Sequence, residues 1–395
     1  MSLLTTAPAT GAGPGTGRRR VLLAPVTAAP CRPLTYSDLK GLLWTDVMYR
    51  ATSHLADVTY RYSHTTYDCT EQTAGFWEYL DRVQGDIDYS GLSEDAIGEL
   101  YARYRAEGGP VPPDALRPYR EAVEHHGWTH PAAARILESR ASQYAALGLY
   151  DPGLGRHQPP AFGLEEALAC LNSQGFCLDL RADGGPVYLD ATRYGIPLRQ
   201  IVSADGQPGH LACTLRELLP LAAEYDEVVL LFDQGLDPDY RLLQRVLSYA
   251  GPDVHRVALG GVPADGHLRS SRHGAGKKRH DHTVADLIDD IGAGHEPAVT
   301  SLGVRLYFIA ALGPGQRQPF RSDLLRCCLD RARRLLDREP AGYGSPAEAA
   351  AALTTALDGH RGRDHLYVDP YRLTSGLLAG HRGLPVAELA TAVFT

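Results

Sequence analysis

Lysine is nearly absent from this chain, which contains 39 lysine and arginine residues among 395. Only three of them are lysine, and two of these, Lys277 and Lys278, are adjacent. They lie in the segment HLRSSRHGAGKKRHDH, residues 267–282, where nine of sixteen side chains are basic or imidazole. Because the whole chain carries a net charge of −8, we do not expect a basic surface that binds nucleic acid without sequence preference, and any polyanion site must be local.

Paired cysteines and long apolar runs are also missing. The seven cysteines include no CxxC pair and form no even framework, which favours a reduced, cytoplasmic protein. No apolar run approaches the ~18 residues of a membrane span, and VVLLF at 228–232 has the length of a strand. The first 19 residues lack the apolar segment of a signal peptide, and we expect a disordered leader there and no membrane association.

Apolar residues predict alternating strands and helices. Strands are predicted for RVLLAPV, DVTYRY, DEVVLLFD and VHRVALG, and helices for LKGLLWTDVMYRATSHL, CTLRELLPLAAEY and DPDYRLLQRVLSYAG. Residues 90–150 are predicted to be helical, with breaks at GGPVPP and HHGWTHP, and short strands and turns follow from GFCLDLRADGGPVYLD. The pattern predicts a Rossmann-like, doubly wound α/β fold with a parallel sheet, followed by a helical region over residues 311–395.

The basic segment follows the last predicted strand and precedes the predicted helix TVADLIDDIG, where Thr283 and Asp286 have the spacing of a capping box. Loops at the carboxyl edge of a parallel sheet are where α/β proteins bind their ligands. Two interpretations remain open from the residues alone: a ligand-binding loop, and a solvated basic loop.

Part of this segment, DGHLRSSRHGA, resembles the KMSKS signature loop of class I aminoacyl-tRNA synthetases. Its surroundings resemble the arginyl-tRNA synthetase catalytic domain in order along the chain. RPLTYSDLKGLLWTDVMYR lies where that family has its HxGH signature, and YAALGLYDP, SADGQPGHLACTL and YDEVVLLFD are similar to later segments. LGVRLYFIAALGPGQRQPFRSDLL resembles the end of the cysteinyl-type domain. The resemblance covers about residues 20–310.

The resemblance implies a nucleotide-binding catalytic domain over residues 20–310, with a helical insertion near 90–150. It also implies ATP as a substrate, Mg²⁺ as the counter-ion of ATP, and an amino acid or other carboxylate as the small-molecule partner. This chain departs from the family at several positions. Thr35 and Asp38 replace the two signature histidines, and Thr214 replaces the carboxylate that reads the arginine substrate. Without that carboxylate a guanidinium loses its bidentate partner, so arginine is not the expected substrate.

The resemblance predicts three groups of site residues. The expected catalytic residues are Arg32, Thr35, Asp38, Lys277 and Lys278. The expected ATP-binding residues are Arg269, Ser270, Ser271, Arg272, His273 and Gly274. The expected residues of the acyl pocket are Asp68, Gln72, His210 and Thr214. The two adjacent lysines lie beyond the usual lysine position of the loop, and we expect them to supply the phosphate-binding charge from a shifted register.

Other clusters admit a second interpretation. No metal site is expected at the four histidines of the basic segment, because neighbouring cations repel a dication and no carboxylate or thiol accompanies them. The run FDQGLDPDYR either binds an amine or Mg²⁺, or caps a helix through Asp237 with Pro238 at its first position. The aromatic residues from Tyr60 to Tyr79 either form core or line a pocket.

The function that these expectations favour is a stand-alone synthetase-like enzyme. It would activate a carboxylate as an acyl-adenylate and transfer it to a small nucleophile or carrier, in specialised metabolism. The chain beyond the resemblance is shorter than a full anticodon-binding domain, so housekeeping aminoacylation of tRNA is not expected. The alternatives are a non-catalytic paralogue with a binding or regulatory role, and a transferase that uses aminoacyl-tRNA.

Overall fold

The computed structural model describes residues 17–25, 28–109, 111–263, 283–292, 294–315, 317–338, 342–381 and 384–394. The strands are β1 (Arg20–Pro25), β2 (Asp57–Tyr60), β3 (Cys177–Asp179), β4 (Val187–Leu189), β5 (Arg199–Val202), β6 (Glu227–Asp233) and β7 (Asp253–Leu259). The helices are α1 (Tyr36–Ser53), α2 (His64–Asp68), α3 (Glu71–Gln84), α4 (Glu94–Glu107), α5 (Pro113–His126), α6 (Pro131–Ala146), α7 (Leu164–Ser173), α8 (His210–Ala222), α9 (Asp237–Ser248), α10 (Val284–Gly292), α11 (Pro297–Arg305), α12 (Ser322–Leu336), α13 (Pro346–Asp358), α14 (Pro370–Ala379) and α15 (Val386–Leu389).

A parallel sheet with the strand order β2-β1-β6-β7 forms the centre of the described structure. Helix α1 connects β1 to β2, and α9 connects β6 to β7, as in two βαβ units. Strands β1 and β6 are buried along nearly their whole length, which explains their runs of valine and leucine. The predicted doubly wound, Rossmann-like α/β fold is confirmed.

Helices cover both faces of this sheet because successive strand residues point to opposite sides. Val21, Leu23 and Val229 belong to a core that includes residues of α1, α11 and α12. Leu22 and Val228 belong to a second core that includes residues of α7, α8 and α9. Because helices cover both faces, the loops lie at the two edges of the sheet. Those that lead from a strand into the following helix lie at the carboxyl edge.

A smaller antiparallel sheet, in the order β3-β4-β5, lies between α7 and α8 in the chain. The sequence predicts only short strands and turns in this region, which agrees with strands of three or four residues. Val187 and Leu189 of β4 are fully buried and belong to the same core as Leu22. The small sheet thus extends the core on one face of the central sheet.

The helices α2 to α6 follow β2, and residues of α3, α4 and α6 form a third core. The predicted breaks are confirmed, since GGPVPP separates α4 from α5 and HHGWTHP separates α5 from α6. Phe76, Trp77 and Tyr101 are buried in this third core. Much of the aromatic string in the sequence is therefore core.

The C-terminal helices pack on the same face of the sheet as α1. Arg305 of α11 and Asp46 of α1 form a buried ion pair, with Nη2 and Oδ2 2.6 Å apart. Leu373 of α14 and Phe394, near the end of the chain, are fully buried in the core that contains Val21. None of the described helices combines the length and the apolar character that crossing a membrane requires.

Candidate functional site

The loop between β1 and α1 lies at the carboxyl edge of the central sheet and is held by a buried arginine. The guanidinium of Arg140 donates hydrogen bonds to the carbonyl oxygens of Ala28 (2.6 Å), Ala29 (2.9 Å) and Arg32 (3.2 Å). Arg140 is 2% exposed, so its charge is matched by backbone carbonyls inside the protein. This arrangement fixes the path of the chain into α1.

The first turn of α1 is closed by a network of three predicted site residues. The Asp38 carboxylate accepts bonds from the Thr35 amide (2.8 Å) and hydroxyl (2.7 Å), which completes a capping box. Arg32 donates to both carboxylate oxygens, at 2.7 and 3.1 Å. Burial by itself would raise the pKa of Asp38, but the Arg32 charge and these hydrogen bonds lower it to about 2. The carboxylate is therefore ionised and neutralised by Arg32.

The described residues that flank the basic segment on both sides contact the start of α1. Ser37 Oγ accepts a hydrogen bond from the Val262 amide at 2.8 Å, just after β7. On the other side, Thr35 pairs with Thr283 in an antiparallel bridge, and the Val284 amide donates to the Leu34 carbonyl at 2.9 Å. The expected phosphate-binding residues of the segment, from Arg269 to Lys278, lie outside the described residues. The structure thus brings the flanks of the segment to residues 35–38, TYSD, at the start of α1, which we call the TYSD turn.

The predicted capping box at the end of the segment is confirmed. The Asp286 carboxylate accepts from the Thr283 amide at 2.9 Å, and the Asp286 amide donates to the Thr283 hydroxyl at 3.2 Å. Helix α10 therefore begins directly after the bridge to Thr35. Both helix starts at this edge, those of α1 and α10, use the same Thr-x-x-Asp pattern.

Lys40, the third lysine, lies at the edge of the candidate site and was not predicted from the sequence to be a site residue. It lies one turn after Ser37 in α1, is fully buried, and donates to the carbonyls of Gly260 (2.9 Å) and Pro314 (3.2 Å). Burial lowers the pKa of Lys40 to about 8, and the Asp233 charge opposes this effect. The rarity of lysine in this arginine-rich chain could have indicated that Lys40 has a special role. Lys40 ties α1 to the end of β7.

The expected acyl-pocket residues of α8 contact α2. The rings of His210 and Tyr67 stack with centroids 5.0 Å apart, and the Tyr67 hydroxyl lies 3.3 Å from Thr214 Oγ1. Burial lowers the pKa of His210 to about 4, so its imidazole is neutral at pH 7. A cavity opens beside this contact at the carboxyl edge of β1. Its lining comprises Ala24, Pro25, Arg61, Tyr67, Thr214, Glu217, Leu218, Leu230 and Tyr240.

An ion pair inside this cavity was not predicted. Arg61, just after β2, donates to Glu217 of α8 with Nε and Oε1 2.6 Å apart. Glu217 is 4% exposed, and its burial raises its pKa to about 7, although the Arg61 charge opposes the shift. The two residues are 156 positions apart in the chain, and neither stands in a recognisable motif. The cavity therefore presents a cation and a carboxyl group that titrates near neutrality.

The other expected pocket residues are engaged elsewhere. Asp68 lies 3.3 Å from His64, is buried, and has a raised pKa because of that burial. Gln72 donates to the Tyr101 hydroxyl in the helical layer. Of the four expected residues, only Thr214 lines the cavity in the described part of the chain, while His210 stacks behind it on Tyr67.

Two carboxylates of the acidic run after β6 form ion pairs with arginines. Asp237 lies 2.5 Å from Arg256 and 2.8 Å from Arg241, and Asp239 lies 2.7 Å from Arg199. The interpretation of Asp237 as a helix cap is wrong, because Leu236 occupies the cap position and Asp237 is the first helical residue. A short 3-10 turn before α9 displaces the cap by one residue.

Comparison with known proteins gives a likeness in structure. No protein-family model matches the sequence, and no curated protein is similar to it. The arginyl-tRNA synthetase of Thermus thermophilus superposes with a TM-score of 0.56 at 13% identity, covering 96% of this chain and 82% of that one. The arginyl-tRNA synthetase of Plasmodium falciparum has a TM-score of 0.50 at 11% identity, with coverages of 91% and 64%.

At these identities the likeness concerns the fold. The parallel sheet and the position of the TYSD turn at its carboxyl edge agree with the resemblance seen in the sequence motifs. The order of the motifs and the structural likeness point to the same group of proteins, and this chain has the fold of the class I aminoacyl-tRNA synthetases.

Proposed function

We propose that this chain activates an amino acid or another carboxylate with ATP and transfers the acyl group to a small nucleophile or carrier. In the first step a carboxylate oxygen attacks the α-phosphorus, forms the acyl-adenylate and releases pyrophosphate. Catalysis of this step requires positioning and neutralisation of phosphate charge more than covalent help. The observation that carries the proposal is the contact of the residues flanking the basic segment, on both sides, with the first turn of α1.

Phosphate charge would be met by Arg32 and by the basic segment. Lys277 and Lys278, with Arg269 and Arg272, provide cations that the departures from the family signature otherwise remove. Ser270, Ser271, His273 and Gly274 would contribute hydrogen-bond donors around the phosphates, and Mg²⁺ would accompany ATP as its counter-ion. Arg32 and Thr35 would bind a phosphate only by sharing or leaving their bonds to Asp38.

We place the acyl pocket at the cavity beside α8, which in this structure has a volume of about 10 Å³, the size of one water molecule, and must widen to admit an acyl group. Arg61 already forms an ion pair with Glu217, with Nε and Oε1 2.6 Å apart. A guanidinium substrate would have to displace Arg61 from this pair. Thr214 offers a hydroxyl in place of a carboxylate. These contacts favour a substrate with a neutral side chain over arginine.

A non-catalytic paralogue is the second candidate, and one observation favours it. Asp38 binds both Arg32 and Thr35, the two groups of the described turn that would otherwise meet a phosphate. A protein that has lost adenylation would keep the fold and this closed network. The two functions differ in whether pyrophosphate is exchanged into ATP.

Amino-acid-dependent exchange between ATP and pyrophosphate tests the proposal. We expect at least one acid to support exchange in a screen of proteinogenic and common non-proteinogenic acids, with arginine no better than the others. Changing both Lys277→Ala and Lys278→Ala should lower the rate by about 10²–10³-fold, on the scale of lost transition-state contacts. The matched control is the adjacent exposed pair on α12, Arg333→Ala with Arg334→Ala, which should leave the rate unchanged. Absence of exchange with every acid would contradict the proposal and leave the paralogue and the transferase that uses aminoacyl-tRNA as the two alternatives.

A further inference from the structure

Two imidazoles and a carboxylate converge at the amino end of β6, away from the candidate site. Glu227 is the first residue of β6, His255 lies in β7, and His365 lies between α13 and α14. His255 Nε2 is 3.2 Å from Glu227 Oε2 and 3.3 Å from His365 Nδ1. One ligand atom from each residue lies within 4.8 Å of the others. The far end of this seven-residue strand, about 20 Å away, carries Asp233 and the carboxyl edge.

Hydrogen bonding alone fits this arrangement poorly. A neutral His255 that carries its proton on Nε2 can donate to Glu227, but it then offers His365 Nδ1 no lone pair. If His365 Nδ1 carries the proton instead, the lone pair of His255 Nε2 is used and the carboxylate faces it without a hydrogen between them. One hydrogen on His255 Nε2 can serve both short contacts, to Glu227 and to His365, only as a bifurcated hydrogen bond. A cation satisfies all three atoms at once.

The spacing matches tetrahedral metal coordination. Zinc binds imidazole nitrogen at about 2.0–2.1 Å and carboxylate oxygen at about 2.0–2.2 Å. Two ligands of one tetrahedron at those bond lengths are about 3.3–3.5 Å apart. The two separations that involve His255, 3.2 and 3.3 Å, lie next to this range. The third, between Glu227 and His365, is within 4.8 Å, and these two side chains would move closer together around a bound ion.

The surrounding backbone orients the three ligands. Glu227 accepts hydrogen bonds from the amides of Leu366 (2.8 Å) and Tyr367 (3.2 Å), which fix its carboxylate beside the histidines. The His365 ring stacks on Tyr367, with centroids 4.8 Å apart. A Cβ at Gly362 would lie 2.0 Å from Cδ2 of His365, so a larger residue at this position would displace that ring. Such partners around the ligands are typical of metal sites.

We propose that Glu227, His255 and His365 form a binding site for a divalent transition-metal ion of the zinc class. Two imidazoles with one carboxylate favour zinc and its neighbours over Mg²⁺ and Ca²⁺, which prefer all-oxygen sites. Three protein ligands leave a fourth position for water. One ligand comes from β6, one from β7 and one from the segment between α13 and α14. A bound ion therefore links this segment to the two strands.

Zinc binding by the chelator-treated full chain tests the site. Titration with Zn²⁺ against a chromogenic chelator should give one tight site per chain. His365→Ala and His255→Ala should each weaken it by at least about 100-fold, since loss of an outer partner of a ligand already costs 10–100-fold. His381→Ala, at a histidine of the same C-terminal region outside the cluster, should bind like the parent. The double variant His280→Ala, His282→Ala should also bind like the parent, which separates this site from the basic segment.

Spectroscopy on the unmodified protein gives a test that does not depend on how variants fold. Co²⁺ should produce the intense visible absorption of a tetrahedral site, and X-ray absorption of the zinc-loaded chain should show two imidazoles with an oxygen ligand and no sulfur. A parent protein that has no tight Zn²⁺ site, that binds Zn²⁺ equally well after His365→Ala, or that loses the site in the double variant His280→Ala, His282→Ala would overturn the assignment. So would an octahedral cobalt spectrum.

Discussion

Single side chains in the first turn of α1 determine how this site differs from the proteins it resembles. The resemblance in the sequence predicts that Asp38 takes the position of a signature histidine, where an unpaired carboxylate would repel a triphosphate. Arg32 and Thr35 bind the Asp38 carboxylate instead, and the low pKa of Asp38, about 2, follows from those contacts. Arg32 and Asp38 therefore act as a pair, and replacement of one alone leaves the other charge without its partner.

Lys40 provides a prediction from its pKa. Folding lowers this pKa from 10.5 to about 8, so between these values the unfolded chain binds a proton that the folded chain does not. The free energy of unfolding should consequently rise with pH over this window, by up to about 3 kcal/mol relative to the variant Lys40→Met. Urea unfolding of both proteins at several pH values from 7.5 to about 10.5 measures the difference.

The comparison with the variant matters because burial raises the pKa of several thiols and phenols, which titrate in the same pH range only in the unfolded chain. Arg103→Met, at an exposed position of α4, is the matched control and should follow the parent at every pH. Parallel curves for the parent and Lys40→Met would show that Lys40 keeps an ordinary pKa in the folded protein.

At the scale of elements, α1 connects the candidate site with the C-terminal helices. Its first turn meets the flanks of the basic segment, Lys40 reaches the end of β7, and Asp46 pairs with Arg305 of α11. Arg305 is fully buried and also donates to the Gly148 carbonyl at 2.9 Å. A displacement of α11 would therefore also displace α1, because separating the two charges inside the core has a large free-energy cost.

Two helical glycines predict opposite effects of the same substitution. A Cβ at Gly303 in α11 would lie 2.6 Å from Cδ2 and 3.0 Å from Cα of Leu329 in α12. Gly303→Ala should therefore lower the free energy of unfolding by about 1–3 kcal/mol through overpacking. At Gly41 in α1 a Cβ meets nothing within 4 Å, and Gly41→Ala should raise it by about 0.5–1 kcal/mol. Urea denaturation measures both, and equal effects would contradict the close packing of α11 on α12.

On the scale of the whole molecule, the C-terminal helices share one core with the central sheet. Val21 and Val229 of the sheet, Leu373 of α14 and Phe394 belong to the same buried cluster. The Phe394 carbonyl also accepts a hydrogen bond from Ser301 of α11. Packing of this kind makes the unfolding of the C-terminal helices depend on the unfolding of the sheet.

Phe394→Ala should accordingly destabilise the entire protein. The ring is fully buried, and its removal should cost about 3–5 kcal/mol in a single transition that shifts equally by far-UV circular dichroism and tryptophan fluorescence. Tyr371→Ala, at a side chain 39% exposed on α14, is the control and should change stability by about 0.5 kcal/mol or less. A variant that loses only part of its helical signal while the tryptophan transition stays in place would mean that the C-terminal helices fold separately.

Local pattern predicted much of this fold. The four parallel strands, the breaks between α4, α5 and α6, and the capping box of Thr283 with Asp286 were all predicted from neighbouring residues. Hydrophobic periodicity and capping act over a few positions, so they are visible in a sequence. The cap of α9 was missed by one position, because the preceding 3-10 turn moves it to Leu236. Expectations for the residues from Arg269 to Lys278 remain predictions.

The sequence by itself thus determined the order of elements, the edge of the sheet at which a site forms, and the motifs that carry the resemblance. Only the tertiary structure decided which charges meet. Arg61 reaches Glu217 across 156 positions, and His365 reaches His255 across 110. No metal site was expected from the sequence, since the three proposed ligands share no spacing and come together only when β6, β7 and the C-terminal segment pack. Contacts between distant parts of a chain follow from the packing of whole elements, and no local pattern encodes them.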